Sequence, residues 1–262
     1  SATTIDEVSK LGAHQDDLLS ACGFSTKSLN YFSFSEKAEM LKELLKDICD
    51  RAGMGWRDDV LFRFMLTKGD TLGGRMRNLV GATASRQFTA AILRALEHQG
   101  LRKSDIAVAE SETKKVQAIA WADRIMAFDK TPVFMDKMAN DKKKNVDALF
   151  LKSTESTPTA SIRSLNQLLS EPKNYLACGE LKGGIDPAGA DEHWKTAASA
   201  LERIRLRFPK DPKPKLFFVG AAIESAMAAE IFAQLLDGRL TYAANLTNVD
   251  QLCDLSNWLV NL

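Results

Sequence analysis

Two charged residues interrupt an apolar stretch in the second half of the chain. In YLACGELK (175–182), Glu180 and Lys182 are separated by a single leucine. Side chains alternate between the two faces of a β-strand, so these two project from the same face. Burying both is costly unless they have a task or hold an ion. The spacing therefore predicts a carboxylate and an ammonium that act together.

A divalent cation would explain a carboxylate in such a strand. Hard cations such as Mg²⁺ take oxygen ligands, and the backbone carbonyl of Leu181 could supply one more. Asp147 is the expected second carboxylate, because it interrupts another apolar run, NVDALFL (145–151). If the two strands are neighbours, Asp147 lies beside Glu180, and together with Leu181 they form a metal site.

The resulting pattern is a carboxylate, followed on the neighbouring strand by carboxylate-x-lysine. It resembles the PD-(D/E)xK arrangement of metal-dependent nucleases. In that chemistry two carboxylates hold Mg²⁺ against the scissile phosphate, and the lysine stabilises developing negative charge or activates the attacking water. A salt-bridged surface strand also contains Glu-x-Lys, and the pattern alone leaves that alternative open.

The elements that must position these residues follow from hydrophobic patterning. Short runs rich in β-branched and aromatic residues predict three strands, at 145–151, 175–181 and 215–223. Two helices are predicted, over Ala190–Arg207 and Ser225–Leu236. The order of these elements indicates an α/β fold with a mixed sheet flanked by helices.

The first half of the chain has mainly helical periodicity. A helix predicted over Glu36–Asp50 has Ser35 as its expected N-cap. Two more helices are expected on either side of a glycine-rich turn, over Asp58–Leu66 and Met76–Gln99. Another is expected over Thr113–Ile119. Gly100 is expected to end the helix over Met76–Gln99.

Composition narrows the class of protein. The chain has 262 residues, 45% of them hydrophobic and 26% charged, with a net charge of +1. It contains no apolar run of about 20 residues, no visible secretory signal and no CxxC pair, so we expect a cytoplasmic protein without a membrane span or a zinc site. The balanced charge neither supports nor excludes nucleic acid, because binding depends on where the cations lie.

Longer stretches are similar to the AvaI/BsoBI family of type II restriction endonucleases. The resemblance covers about Ala21 to Leu262, is most specific in GELKGGIDPAGADEHWKTA, and extends to KNVDALF, TKGDTLGGRMRN and FFVGAAIESAMAAEIFAQL. It implies a PD-(D/E)xK restriction-endonuclease-like core at 101–262 and an N-terminal helical DNA-binding region at 1–100. It departs from the family at the N-terminus, where a helical extension is expected to be reduced.

The resemblance assigns catalytic positions to Asp147, Glu180, Lys182 and His193. His193 would be the general base, a task suited to a side chain that ordinarily titrates near neutrality. Asp186 would accept a hydrogen bond from a cytosine amino group. From the residues alone, His193 is more typical of a helix-face histidine held by a neighbour such as Glu192, and Asp186 is also consistent with an Asp-Pro turn or a helix cap.

Two polar stretches are expected to contact DNA. TKGDTLGGRMRN (67–78) lacks the order GxxxxGK[ST], so no nucleotide cofactor is expected. It is interpreted as a turn opening a helix, whose amides and side chains contact phosphate, or else as a solvated turn. GFSTKSLNYF (23–32) resembles the family's major-groove segment. The expected contacts are Lys68, Arg75, Arg77, Asn78, Lys27 and Asn30.

We therefore expect a Mg²⁺-dependent type II restriction endonuclease of the prokaryotic cytoplasm. Family membership implies cleavage of double-stranded DNA within CYCGRG or a related palindrome, and a palindrome is read by a homodimer. A structure-specific repair or recombination nuclease and a non-catalytic DNA-binding protein are the alternatives. Discrete cleavage products would exclude the structure-specific nuclease. Any Mg²⁺-dependent cleavage would exclude the non-catalytic binding protein.

Overall fold

The computed structural model describes residues 5–9, 12–101, 105–110, 116–130, 146–153, 165, 168–208 and 213–262. The chain divides into two compact units, Ser1–Asn78 and Leu79–Leu262, and the division falls inside one long helix. The boundary at residue 100 that the sequence predicts, between a helical DNA-binding region and a catalytic core, stays a prediction. The second half of the long helix belongs to the second unit because Phe88, Ile92 and Leu96 pack into the core of that unit.

The first unit is helical. Its core contains the fully buried side chains Leu19, Leu41 and Leu45. Its helices are α1 (Ile5–Ser9), α2 (Gln15–Ala21), α3 (Thr26–Leu29), α4 (Phe34–Ala52) and the first part of α5 (Trp56–His98).

The predicted N-cap of α4 was wrong by two residues. Ser33, not Ser35, caps this helix, and its hydroxyl accepts a hydrogen bond from the amide of Glu36. The Glu36 carboxylate accepts in return from the amide of Ser33 at 2.7 Å. This reciprocal capping box satisfies two backbone donors at once, which favours the earlier start.

The predicted glycine-rich turn at 67–78 was also wrong, because α5 runs through it without a break. A glycine in a helix interior costs only about 1 kcal/mol relative to alanine, so three of them do not stop a helix with packed ends. The hydroxyls of Thr67 and Thr71 bond back to carbonyls four residues earlier, as helical threonines do. Gly100, which has a positive φ of 83°, follows the end of α5 as predicted.

Within the described ranges, the second unit is built on a seven-stranded sheet in the order β1 to β7. Neighbours from β1 to β5 run antiparallel, whereas β5, β6 and β7 run parallel. The strands are β1 (Ile106–Glu110), β2 (Val116–Trp121), β3 (Arg124–Lys130), β4 (Val146–Lys152), β5 (Tyr175–Lys182), β6 (Lys215–Gly220) and β7 (Tyr242–Asn245).

The helix predicted over Thr113–Ile119 was wrong where the structure describes it. Val116–Ile119 belong to β2, and 113–115 lie outside the described residues. A short apolar run does not distinguish a strand from a buried helix. Pairing with β1 on one side and β3 on the other decides the conformation.

Helices cover both faces of the sheet, which confirms the predicted α/β fold with a mixed sheet flanked by helices. On one face, α6 (Pro187–Arg207) and α7 (Ser225–Leu236) contribute to the core. On the other face, the second half of α5 packs with α8 (Val249–Val260). None of the helices in the described ranges combines the length and apolarity that a bilayer span requires.

Strand alternation fixes which face carries the charged residues. Cys178 of β5 and Phe218 of β6 belong to the core on the α6 side, whereas Ala177 and Phe217 belong to the core on the α5 side. Glu180 and Lys182 share the parity of Cys178, so they project towards the α6 side.

Candidate active site

Three charged side chains of β4 and β5 meet on one face of the sheet. The two strands pair antiparallel with Ala148 opposite Gly179, which places Asp147 beside Glu180. The Nζ atom of Lys182 lies 3.0 Å from Oε2 of Glu180 and 3.5 Å from Oδ2 of Asp147. The structure thus brings together the three residues that the sequence pattern joined, and we name them the trio.

Burial and neighbouring charges shift the pKa values of Glu180 and Lys182. Glu180 is only 5% exposed, and burial together with the nearby Asp147 carboxylate raises its pKa to about 7. Burial would lower the pKa of Lys182, but the two carboxylates together outweigh it and hold that pKa above its ordinary value. With every group ionised, two negative charges face one positive charge, so the trio has an excess of negative charge.

The oxygen donors of the trio suit a hard divalent cation. The Leu181 amide donates to Oδ2 of Asp147 at 2.9 Å, so this edge of β5 faces Asp147. The carbonyl and amide of one strand residue point to the same side, which directs the Leu181 carbonyl there too. A dication would remove the repulsion that raises the pKa of Glu180. In the described ranges, no group of three or more His, Cys, Asp or Glu is arranged to hold a metal, and the role of the two carboxylates and the Leu181 carbonyl as metal ligands stays a prediction.

Glu180→Gln is expected to stabilise the protein in chelator at pH 8, by up to about 3 kcal/mol. The folded-state pKa of Glu180 is about 7 against an ordinary 4.5, so the wild type loses stability as pH rises through that window. Glutamine does not ionise, so the difference in unfolding free energy between the two proteins should be absent below pH 4.5 and complete above about pH 7. Thermal unfolding across pH measures it, and parallel curves for the two proteins would contradict it. Adding Mg²⁺ at pH 8 should stabilise only the wild type.

Two glycines after Lys182 permit close packing of the chain that leaves the trio. A Cβ on Gly183 would lie 2.5 Å from the Cβ of Ala84 in α5, and one on Gly184 would lie 2.7 Å from Nε2 of His193. Each glycine thus has a close neighbour, Ala84 for Gly183 and His193 for Gly184.

A third glycine, within β5 itself, was not singled out from the sequence. A Cβ on Gly179 would lie 2.1 Å from the ring of Phe217, which therefore packs directly against the strand that carries Glu180. A glycine inside an apolar strand pattern is a known signal of such an approach.

His193 and Asp186 lie on the connection between the trio and α6. His193 is in the second turn of α6, and its ring lies beside Gly184, two residues after Lys182. Asp186 is exposed immediately before Pro187, and its carbonyl accepts a hydrogen bond from the Gly189 amide at 3.2 Å. The geometry places both near the end of β5, and their roles stay predictions.

The predicted phosphate contacts of 67–78 lie on a helix in the first unit. Because the segment is helix interior, it has no exposed amides of a helix start, and that part of the prediction was wrong. Lys68 pairs with Asp17 at 2.8 Å and lies over the ring of Phe64. Arg75, Arg77 and Asn78 are exposed on α5.

The predicted major-groove contacts belong to α3. Asn30 is exposed at the C-cap of this short helix. Lys27 is within α3, but its side chain lies outside the described residues. The roles proposed for these two residues stay predictions.

Comparisons with known proteins agree over nearly the whole chain. The family model described as "Restriction endonuclease BsobI" matches residues 3–262. The type II restriction enzyme BsoBI of Geobacillus stearothermophilus is 37% identical over 95% of this chain and 79% of the relative. The type II restriction enzyme AvaI of Nostoc sp. is 38% identical over 94% of this chain and 79% of the relative.

A solved structure, Bse634I restriction endonuclease, has a TM-score of 0.31 and 10% identity, covering 85% of this chain and 84% of that chain.

Proposed function

Since the chain belongs to the restriction endonuclease BsobI family and is a type II site-specific endonuclease, we propose that it hydrolyses double-stranded DNA with Mg²⁺ at CYCGRG or a related palindrome. In this DNA site, Y is a pyrimidine and R is its purine partner. The proposed setting is the prokaryotic cytoplasm. The convergence of Asp147, Glu180 and Lys182 on one face of neighbouring strands is the observation that supports the proposal most directly.

The proposed chemistry gives each residue of the site one task. Asp147, Glu180 and the Leu181 carbonyl would hold Mg²⁺, which supplies positive charge next to the scissile phosphate. The Lys182 ammonium stabilises the negative charge that develops on that phosphate. His193 takes a proton from the attacking water.

Recognition is assigned to different side chains. Asp186 is exposed on the connection after the trio, where its carboxylate accepts a hydrogen bond from a cytosine amino group. Lys27 and Asn30 are proposed to reach base edges in the major groove. Phosphate contacts are assigned to Lys68, Arg75, Arg77 and Asn78.

We further propose that the active form is a homodimer, because a palindrome is read by a two-fold symmetric protein. An exposed apolar stripe on α5 of the first unit supports association with a second copy. Six large side chains there are 51–64% exposed: Leu61, Phe62, Met65, Leu66, Leu72 and Met76. They extend along about 23 Å of helix, and contiguous exposed apolar side chains of this kind mark protein interaction sites. Sedimentation of the intact chain, alone and on a cognate duplex, tests the assembly, and a monomer in both would contradict it.

Digestion of a DNA of known sequence tests the proposed function. We expect discrete fragments in Mg²⁺, with every sequenced end inside one palindrome of the CYCGRG type, and no cleavage in chelator. Glu180→Gln is the matched control, because it keeps the shape of the side chain and removes its charge. Fragments without a common sequence at their ends would indicate a structure-specific nuclease, and intact DNA would indicate a non-catalytic binding protein.

A further inference from the structure

Trp194, next to His193 on α6, is the largest fully buried side chain of that helix. Trp194 is fully buried, and its ring packs edge-on against Phe218, with the ring centroids 5.1 Å apart. Phe218 pairs in register with Glu180 across β5 and β6. The indole therefore packs on the strand that neighbours the trio.

The indole also has a specific polar partner on another helix. Its Nε1 donates a hydrogen bond to Oε2 of Glu230 at 2.7 Å, and Glu230 belongs to α7. A buried indole N–H is costly to leave without an acceptor, so this bond favours a single rotation of α6 about its axis. Glu230 itself is on the exposed side of α7 and belongs to no part of the site proposed above.

That rotation decides where the imidazole of His193 lies. Consecutive residues are about 100° apart on a helix, so fixing the indole direction also fixes the direction of the neighbouring side chain. The imidazole packs closely against two glycines. Its Nε2 lies 2.7 Å from where a Cβ of Gly184 would be and 3.5 Å from where a Cβ of Gly189 would be. A small turn of α6 would move His193 away from the end of β5.

From these contacts we infer that Glu230 is a positioning residue for the nuclease reaction: its hydrogen bond to Trp194 holds α6 so that His193 stays beside the end of β5. The inference rests on the role proposed for His193. Glu230 has no task in the proposed site, and it acts through the indole and the helix.

A double-mutant cycle tests this positioning. Glu230→Leu removes the acceptor at similar size, and Glu230→Gln keeps an acceptor without the charge. Single-turnover cleavage in Mg²⁺ should slow about 10-fold or more in the leucine variant, since misplacement by 1 Å can cost about 100-fold. The glutamine variant should cut at close to the wild-type rate. Binding of a cognate duplex in Ca²⁺ should be unchanged in both.

The decisive measurement is made in the His193→Ala background. There Glu230→Leu should slow cleavage no further, because the side chain that it positions is gone. Trp194→Phe removes the donor but keeps an aromatic ring, and it should slow cleavage like Glu230→Leu with no added effect when the two are combined. Thermal unfolding of each variant identifies the temperature at which all of them are folded, and rates are compared there.

The possible failures are distinguishable. If Glu230→Leu cuts at the wild-type rate, or slows cleavage equally with and without His193, the positioning inference is overturned and the proposed function is unaffected. If His193→Ala itself cuts at the wild-type rate, the role proposed for His193 is overturned, and this inference with it.

Discussion

Lys182→Ala is expected to slow DNA cleavage by about 10²–10³-fold while binding of the cognate duplex is retained. Nζ of Lys182 lies 3.0 Å and 3.5 Å from the two carboxylates, so the ammonium is held at the place where a phosphate would meet the trio. A preorganised charge of this kind needs no reorganisation when negative charge develops during the reaction. Single-turnover cleavage in Mg²⁺ and binding in Ca²⁺ measure the two effects separately.

Lys195→Ala is the matched control for that loss. Lys195 is an exposed lysine of α6 that pairs with Asp191, and it has no part in the proposed site. It should cut and bind like the wild type. A Lys182→Ala enzyme that cut at the wild-type rate would remove the trio as the catalytic centre.

The second large effect is expected at His193, where alanine should slow cleavage by about 10²–10⁴-fold, the usual contribution of a general base. The ring lies beside Gly184, close to the end of β5 but not within the trio. Its loss should therefore leave both metal-dependent stability and the choice of DNA sequence unchanged. Rates are measured under single turnover, and discrimination is measured by binding to cognate and single-substituted duplexes in Ca²⁺.

Asp186→Ala provides the complementary variant, since it lies on the same connection and carries no proton in the proposed reaction. It should lose about 1–3 kcal/mol of discrimination at one base pair. If Asp186→Ala discriminates as well as the wild type, its base-reading role is wrong. If His193→Ala also loses discrimination, the proposed separation of reading from cutting is wrong.

The trio could be predicted because its signal is local. Charged residues in apolar strands are rare enough to be informative, and the alternation of β-strands puts Glu180 and Lys182 on one face whatever the rest of the fold does. Pairing Asp147 with Glu180 needed one more assumption, that their strands are neighbours, and the register of β4 and β5 satisfies it.

The errors arose where tertiary contacts outweigh local preference. Gly69, Gly73 and Gly74 suggested a turn, yet α5 continues through them because its second half is fixed by packing on the sheet. The helix predicted near Val116 became a strand because hydrogen bonds to both neighbouring strands are available there.

The contact between Trp194 and Glu230 had no signal in the sequence. The two residues are 36 positions apart, and neither interrupts a pattern in its own helix. Only the packing of α6 against α7 brings the indole to the carboxylate, so the contact became visible with the structure.

The tight fit of Gly183 and Gly184 limits the distance between Lys182 and Asp186 on the connection after β5. Neither glycine can gain a side chain without displacing α5 or His193, so both positions stay close to these neighbours. Four residue steps span at most about 14 Å of backbone, and stacked bases of one strand are about 3.4 Å apart. If the trio cuts the phosphate and Asp186 reads a base, as proposed above, the two should therefore lie within a few nucleotides of each other. New cutting patterns would then be engineered more readily by changing which base is read than by changing this spacing.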